Sequence, residues 1–147
     1  MKSISYIEDF DQWKRSFLFS IQIKVRFSET DMFGHVNNVS AFTYFEEARI
    51  EYLKSLGFFS DSSDEQNVPV VADLQCDYHQ QMYFDDRLNV YVKAHYIGTT
   101  SVDIHYMVVN EKEDLCLTGR GRLVYINKHS GKPVAIDENL KEKLLVR

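Results

Sequence analysis

Over residues 20–27 apolar and polar side chains alternate without a break. Ile21, Ile23, Val25 and Phe27 share one side; Gln22, Lys24 and Arg26 share the other. A period of two with one apolar side predicts a half-buried strand. From about residue 39 to residue 56 the period lengthens. Ala41, Phe42, Phe45, Ala48, Tyr52, Leu53 and Leu56 fall on one stripe of a helical wheel, which predicts a long amphipathic helix. Asn37 or Asn38 suits its N-cap, and Gly57 suits its C-terminal stop. A polar loop is expected over 57–68, followed by four strands at 70–78, 88–97, 100–109 and 115–126. Gly98-Thr99 fits a two-residue hairpin turn, and 110–114 a longer one. Gly119 and Gly121 fall on one face of the last strand, which marks close approach of the long helix, or a bulge. Phe10, Trp13 and Phe17 predict a short N-terminal helix over about 7–17. Asp137, Leu140 and Leu144 predict a closing helix over about 137–145.

Strand, helix, then four mostly antiparallel strands make an α+β fold, with one long helix packed on one curved sheet. One helix leaves sheet edges uncovered, so a second copy of the chain is expected there, as homodimer or homotetramer. A length of 147 residues fits one domain, 1–147, with its core at about 20–127.

The net charge of −5 argues against a general nucleic-acid binder, which needs a basic face. No apolar run approaches the roughly 20 residues of a membrane span. Acidic residues stand where a signal peptide would carry its apolar core, so a cytoplasmic protein is expected. Cys76 and Cys116 read as free buried thiols, and no Cys/His spacing suits a metal. No metal or cofactor is expected.

The candidate chemistry lies between the first strand and the long helix, in residues 26–38. There stand a carboxylate (Asp31), a glycine (Gly34), an imidazole (His35) and two amides (Asn37, Asn38). A carboxylate just ahead of a helix N-terminus lies beside backbone N–H groups that stabilise negative charge. That pairing suits cleavage of an activated acyl group. Asp31 is either nucleophile or general base, or it is a loop aspartate capping a turn. His35 is a proton shuttle or a residue that fixes the loop. Gly34 permits the turn and approach of an acyl group. Arg49 falls inside the apolar stripe and needs a partner, for which Glu46, three residues earlier, is in range. Alternatively, Glu46 positions water. Lys93, Arg120, Arg122, Lys128 and Lys132 are the basic candidates for coenzyme A phosphates.

Asp31-x-x-Gly34-His35-Val36-Asn37-Asn38, followed by Tyr44-Phe45-Glu46-x-Ala48-Arg49, resembles the hot-dog-fold acyl-CoA thioesterases of the 4-hydroxybenzoyl-CoA thioesterase type. The strand order resembles theirs too, as does the late run from Gly119 to Ile126 with Gly131-Lys132-Pro133 after it. The resemblance implies a sheet wrapped around the helix, dimers joined edge to edge and active sites at the dimer interface. It implies that Asp31 is catalytic, with His35 and Asn38 beside it, and that the backbone N–H near Asn38 polarises the thioester carbonyl. A substrate surface is expected from Gly34, Val36, Asn37, Phe45 and Glu46. The expected reaction is hydrolysis of an acyl-CoA to a carboxylic acid and coenzyme A. The alternatives are an acyl-carrier-protein thioesterase and a non-catalytic acyl-binding protein. Met32-Phe33 replaces the Pro or Ala that aromatic-acyl members carry after the acid, so the acyl group is not implied. The loop also lacks the proline-containing histidine context of hot-dog dehydratases.

Overall fold

Alternating apolar residues at 88, 90 and 92, and at 102, 104, 106 and 108, are all buried on one side of a sheet. A computed structural model describes residues 3–60 and 65–146. Its elements are α1 (Phe10–Arg15), β1 (Phe19–Lys24), a 3-10 turn (Phe27–Glu29), α2 (Ser40–Ser55), β2 (Asn67–Tyr78), β3 (Arg87–Ile97), β4 (Ser101–Val109), β5 (Leu115–Asn127) and α3 (Glu138–Leu145). The five strands form one antiparallel sheet in the order β1-β3-β4-β5-β2. The apolar stripe of α2 and the inner faces of the strands share one core. Trp13 and Phe17 bury against Met107 and Val109 in a smaller cluster, built from the alternate positions of β4. No helix among the described residues is long and apolar enough to cross a membrane.

Gly119 and Gly121 have the two causes expected of them. A Cβ on Gly119 would lie 2.5 Å from the Phe45 ring, so the glycine admits that ring to the sheet. Phe45 in turn stacks on Tyr106 of β4, with centroids 4.5 Å apart. Gly121 faces the irregularity in β2 between Val71 and Asp73, where a Cβ would lie 2.8 Å from the Asp73 carbonyl oxygen. Gly57 ends α2 at a φ of +102°. Its N–H donates to the Lys54 carbonyl and that of Phe58 to the Leu53 carbonyl, the Schellman arrangement that satisfies the last carbonyls of a helix. Asp137 caps α3 by accepting from the Leu140 N–H at 2.7 Å.

Several expectations shift. The first strand stops at Lys24, and Phe27 is 76% exposed on the 3-10 turn, its ring against Phe84. The alternation continues past the strand because the turn redirects the chain, which pattern alone does not show. The N-cap of α2 is Val39, without a side-chain bond; Asn37 instead accepts from the Val39 N–H at 3.0 Å. The hairpin after β3 closes between Gly98 and Ser101, so its two turn residues are Thr99 and Thr100. The polar loop expected over 57–68 falls partly on 61–64, outside the described residues.

Arg49 is buried as its place in the stripe predicts, but its partner differs. Its Nη1 donates to the Tyr106 hydroxyl at 3.1 Å, while Glu46 is exposed to solvent. Burial pushes the Tyr106 phenol up from its ordinary range, and the guanidinium draws it part of the way back.

This packing sets two expectations for stability. Gly119→Ala forces the Phe45 ring off Tyr106 and costs about 1–3 kcal/mol in urea unfolding. Phe45→Leu in the same chain recovers part of that loss if the ring is the obstacle. Tyr106→Phe leaves the buried Arg49 without its acceptor and costs about 1–3 kcal/mol. Arg49→Met removes donor and charge together, so the same unfolding measurement should find it less harmful than Tyr106→Phe.

Candidate active site

Where β1 ends, the chain is turned by one side chain that the sequence pattern did not single out. Glu29 is 9% exposed. Its carboxylate accepts from the Arg26 N–H at 2.9 Å, from the Arg26 guanidinium at 2.7 and 3.0 Å, and from the Tyr44 hydroxyl of α2 at 2.9 Å. Burial alone would raise the Glu29 carboxyl; the bonds from Arg26 and Tyr44 outweigh it and hold it below its ordinary value. The Glu29 carbonyl also accepts from the Asn37 N–H at 2.7 Å. One residue thus ties the start of the loop, its end and the adjoining helix together.

Within that frame Asp31 to His35 form a tight turn. The Asp31 N–H donates to the His35 carbonyl at 2.7 Å, and the Gly34 N–H to the Asp31 carbonyl at 3.1 Å. Gly34 takes a φ of +83°, which is its reason for being glycine; open space surrounds the missing Cβ. Asp31 Oδ1 accepts from the N–H groups of Phe33 (2.9 Å) and His35 (3.2 Å). Oδ2 has no protein donor among the described residues. The capping role and a free carboxylate oxygen therefore coexist in one side chain.

His35 binds Asp31 through its main chain. Its ring packs edge-on against Tyr83 at 5.3 Å rather than bonding the carboxylate. The Val36 N–H donates to the Met82 carbonyl at 2.8 Å, docking the loop on the segment after β2. Asn37 Oδ1 takes the Val39 N–H, and the Asn37 carbonyl takes the Ser40 N–H at 2.9 Å. The Tyr78 hydroxyl, its pKa pushed up to about 12 by burial and then by Cys76, donates to the Asn38 carbonyl at 2.6 Å. The Asn38 N–H lies between these anchored groups with no protein acceptor among the described residues.

Asp31, His35, Val36, Asn37 and Asn38 line a cleft of about 470 Å³, whose far side is the segment from Tyr78 to Met82. Met32 and Phe33 stand exposed on the turn. The remaining candidates lie elsewhere. Phe45, expected to touch substrate, is fully buried between Gly119 and Tyr106 and belongs to the core. Glu46 is exposed and outside the lining of the cleft. Lys93, Arg120 and Arg122 point away from α2, on the other face of the sheet. Arg120 pairs with Asp73 at 3.0 Å and Arg122 with Asp103 at 2.9 Å, while Lys93 is buried beside Trp13 and Phe17. They do not converge on Asp31.

Residues 25–144 match the family model described as the Thioesterase-like superfamily. The chain belongs to this superfamily. Bacillus subtilis (strain 168) has a relative, the uncharacterized protein YsmA, 45% identical over 146 residues, covering 99% of this chain and 98% of that one. The long-chain acyl-CoA thioesterase FadM of Escherichia coli (strain K12) is 27% identical over 128 residues, covering 84% and 94%. A crystal structure of a thioesterase from Thermus thermophilus, complexed with coenzyme A and Zn, superposes with a TM-score of 0.75 at 27% identity, covering 88% and 98%. The antiparallel sheet with its long helix is the hot-dog arrangement of these thioesterases. Within this superfamily fold, the loop between β1 and α2 and the segment after β2 make the cleft.

The sequence pattern did not single out Glu29 or Tyr78, and it held Tyr44 in the motif without a role. Arg26 and Glu29 stand three apart just beyond a strand, which was the available signal for a local ion pair. The Tyr44 and Tyr78 contacts cross 15 and 40 positions and leave no local trace.

Glu29→Gln should loosen the loop and destabilise the fold by about 1–3 kcal/mol at neutral pH. Because the folded carboxyl lies below its ordinary 4.5, its contribution is complete above that value and is lost as pH falls through the lowered one. Thermal unfolding measured against pH should therefore show a shallower acid limb in Glu29→Gln than in the wild type.

Proposed function

We propose that this chain hydrolyses acyl-CoA thioesters to a carboxylic acid and coenzyme A, with Asp31 as the reacting carboxylate. The observation that carries the reading is the pairing of two unclaimed groups in one cleft: Asp31 Oδ2 and the Asn38 N–H. A thioester needs an attacking oxygen and a donor for the oxyanion that forms. As general base, Asp31 takes a proton from water while the water oxygen attacks the carbonyl carbon. The C–S bond then breaks, and the departing thiolate takes up the proton held by Asp31, which restores the carboxylate. As nucleophile, Asp31 attacks the carbon itself and expels the thiolate; water then opens the mixed anhydride. In either route the carbonyl oxygen is held by the Asn38 N–H at the start of α2, where the helix dipole adds its positive end. His35 acts as a positioning residue, since its main-chain N–H holds Oδ1 while its ring is engaged with Tyr83.

The coenzyme A class is supported by the Thermus thermophilus neighbour with bound coenzyme A and by the FadM relative. A second copy of the chain is part of the reading. β2 is an edge strand whose Val70, Val71 and Tyr78 are exposed, and its end forms one wall of the cleft.

Release of free thiol from a panel of acyl-CoAs tests the activity. Asp31→Asn keeps shape but loses negative charge and proton acceptance. Turnover on the best substrate should fall by about two to four orders of magnitude while acyl-CoA binding persists. Near-native turnover by Asp31→Asn would remove Asp31 from the mechanism.

A further inference from the structure

The face of the sheet opposite α2 carries a second, larger cavity, of about 550 Å³. The N-terminal segment with α1 forms its roof, and outward-facing residues of β3 and β4 form its floor. Alternation aims Lys93 and His105 outward as cross-strand partners. His95, next but one after Lys93 and outside the regular pairing, sits at the register shift between Ala94 and Tyr96. Its ring stacks on His105 with centroids 3.9 Å apart and planes 13° from parallel. Such a bulge re-aims one side chain at the expense of regular pairing.

Two nearly buried polar side chains, Lys93 and His105, line this cavity. Lys93 is 7% exposed and has no carboxylate partner among the described residues. Its ammonium donates to the Ser16 hydroxyl and lies 5.6 Å from the Trp13 ring and 4.9 Å from that of Phe17. A buried cation normally acquires an anion. His105 is 1% exposed, and its Nδ1 accepts from the Trp13 indole N–H at 2.8 Å. That bond assigns the proton of the neutral ring to Nε2, which has no acceptor among the described residues. Burial first, then His95, Lys93 and Arg120, push the His105 pKa down to about 3, so the ring is neutral under ordinary conditions.

We propose that this cavity is a binding site for a small carboxylate with a flat, aromatic body, held by the Lys93 ammonium and the His105 Nε2–H. The rings of Tyr6, Trp13 and His95 supply flat walls. Arg120 is engaged by Asp73 and Asp103, which leaves Lys93 as the cation without a carboxylate among the described residues of the lining. Glu8, Asp9 and Asp103 also line the cavity and repel a second negative charge, so a monoanion fits where a phosphate dianion does not. The site is separate from the Asp31 cleft and does not rest on the thioesterase reading.

Trp13 is the only tryptophan in the chain and forms part of the wall, so its fluorescence reports on this site directly. Titration of the full chain with benzoate should give a saturable change, while benzamide, the neutral isostere, and inorganic phosphate should give none. Lys93→Met should raise the benzoate Kd roughly ten- to a hundredfold, the scale of losing one charged hydrogen bond; Lys93→Gln serves if the methionine variant does not fold. Asp31→Asn should bind benzoate as the wild type does. An absence of saturation, equal binding of benzamide, tighter binding of phosphate, or an unchanged Kd in the Lys93 variant would overturn the proposal. So would a shift of the benzoate Kd in either direction in Asp31→Asn, tighter binding above all, since removing that anion relieves repulsion of a carboxylate bound in the other cleft.

Discussion

The carboxylate of Glu29 is the constraint on which the candidate site depends. It is a nearly buried anion, and a buried anion is tolerable only if its lone pairs are filled. Arg26 fills them from the chain just before, and Tyr44 from the second turn of α2. The geometry that satisfies the charge therefore fixes the exit of β1 relative to the start of α2. The Glu29 carbonyl then fixes Asn37. What remains between these points is a short turn with little freedom, and that turn holds Asp31.

This arrangement gives preorganisation at low cost in mobility. Asp31 spends one oxygen on its own turn and leaves the other without a protein donor among the described residues. Asn37 and Tyr78 hold the chain on both sides of the Asn38 N–H without using it. A donor that is already in place when charge develops needs no reorganisation during the reaction. The core behind α2 serves the same end. The Phe45 ring reaches Tyr106 only because Gly119 has no side chain, and Tyr106 in turn answers the buried charge of Arg49. The helix is thus held at both its apolar and its polar contacts.

Much of this was legible in the sequence because it is periodic or locally encoded. The alternation marked the faces of β4, and of β3 as far as Ala94, beyond which the register shift leaves Tyr96 exposed; the glycine pair in β5 announced its close neighbours. Gly57 and Asp137 marked helix ends that the hydrogen bonds bear out. The failures share a different physical origin. Phe27 continued an apolar alternation into a segment that had already left the sheet. Phe45 looked like a substrate contact because it lies in the motif, but its ring turns inward to Gly119. Arg49 was placed correctly by helical phase, yet its acceptor lies on β4 and not on its own helix. Position along one element can be read from pattern; a partner 57 residues away cannot.

The most direct test is a crystal structure of the chain with an unreactive acyl-CoA analogue in which a methylene replaces the thioester sulfur. The carbonyl carbon should face Asp31 Oδ2, with the carbonyl oxygen within hydrogen-bond distance of the Asn38 N–H. A carbonyl bound away from both groups, with the loop between β1 and α2 unengaged, would contradict the mechanism.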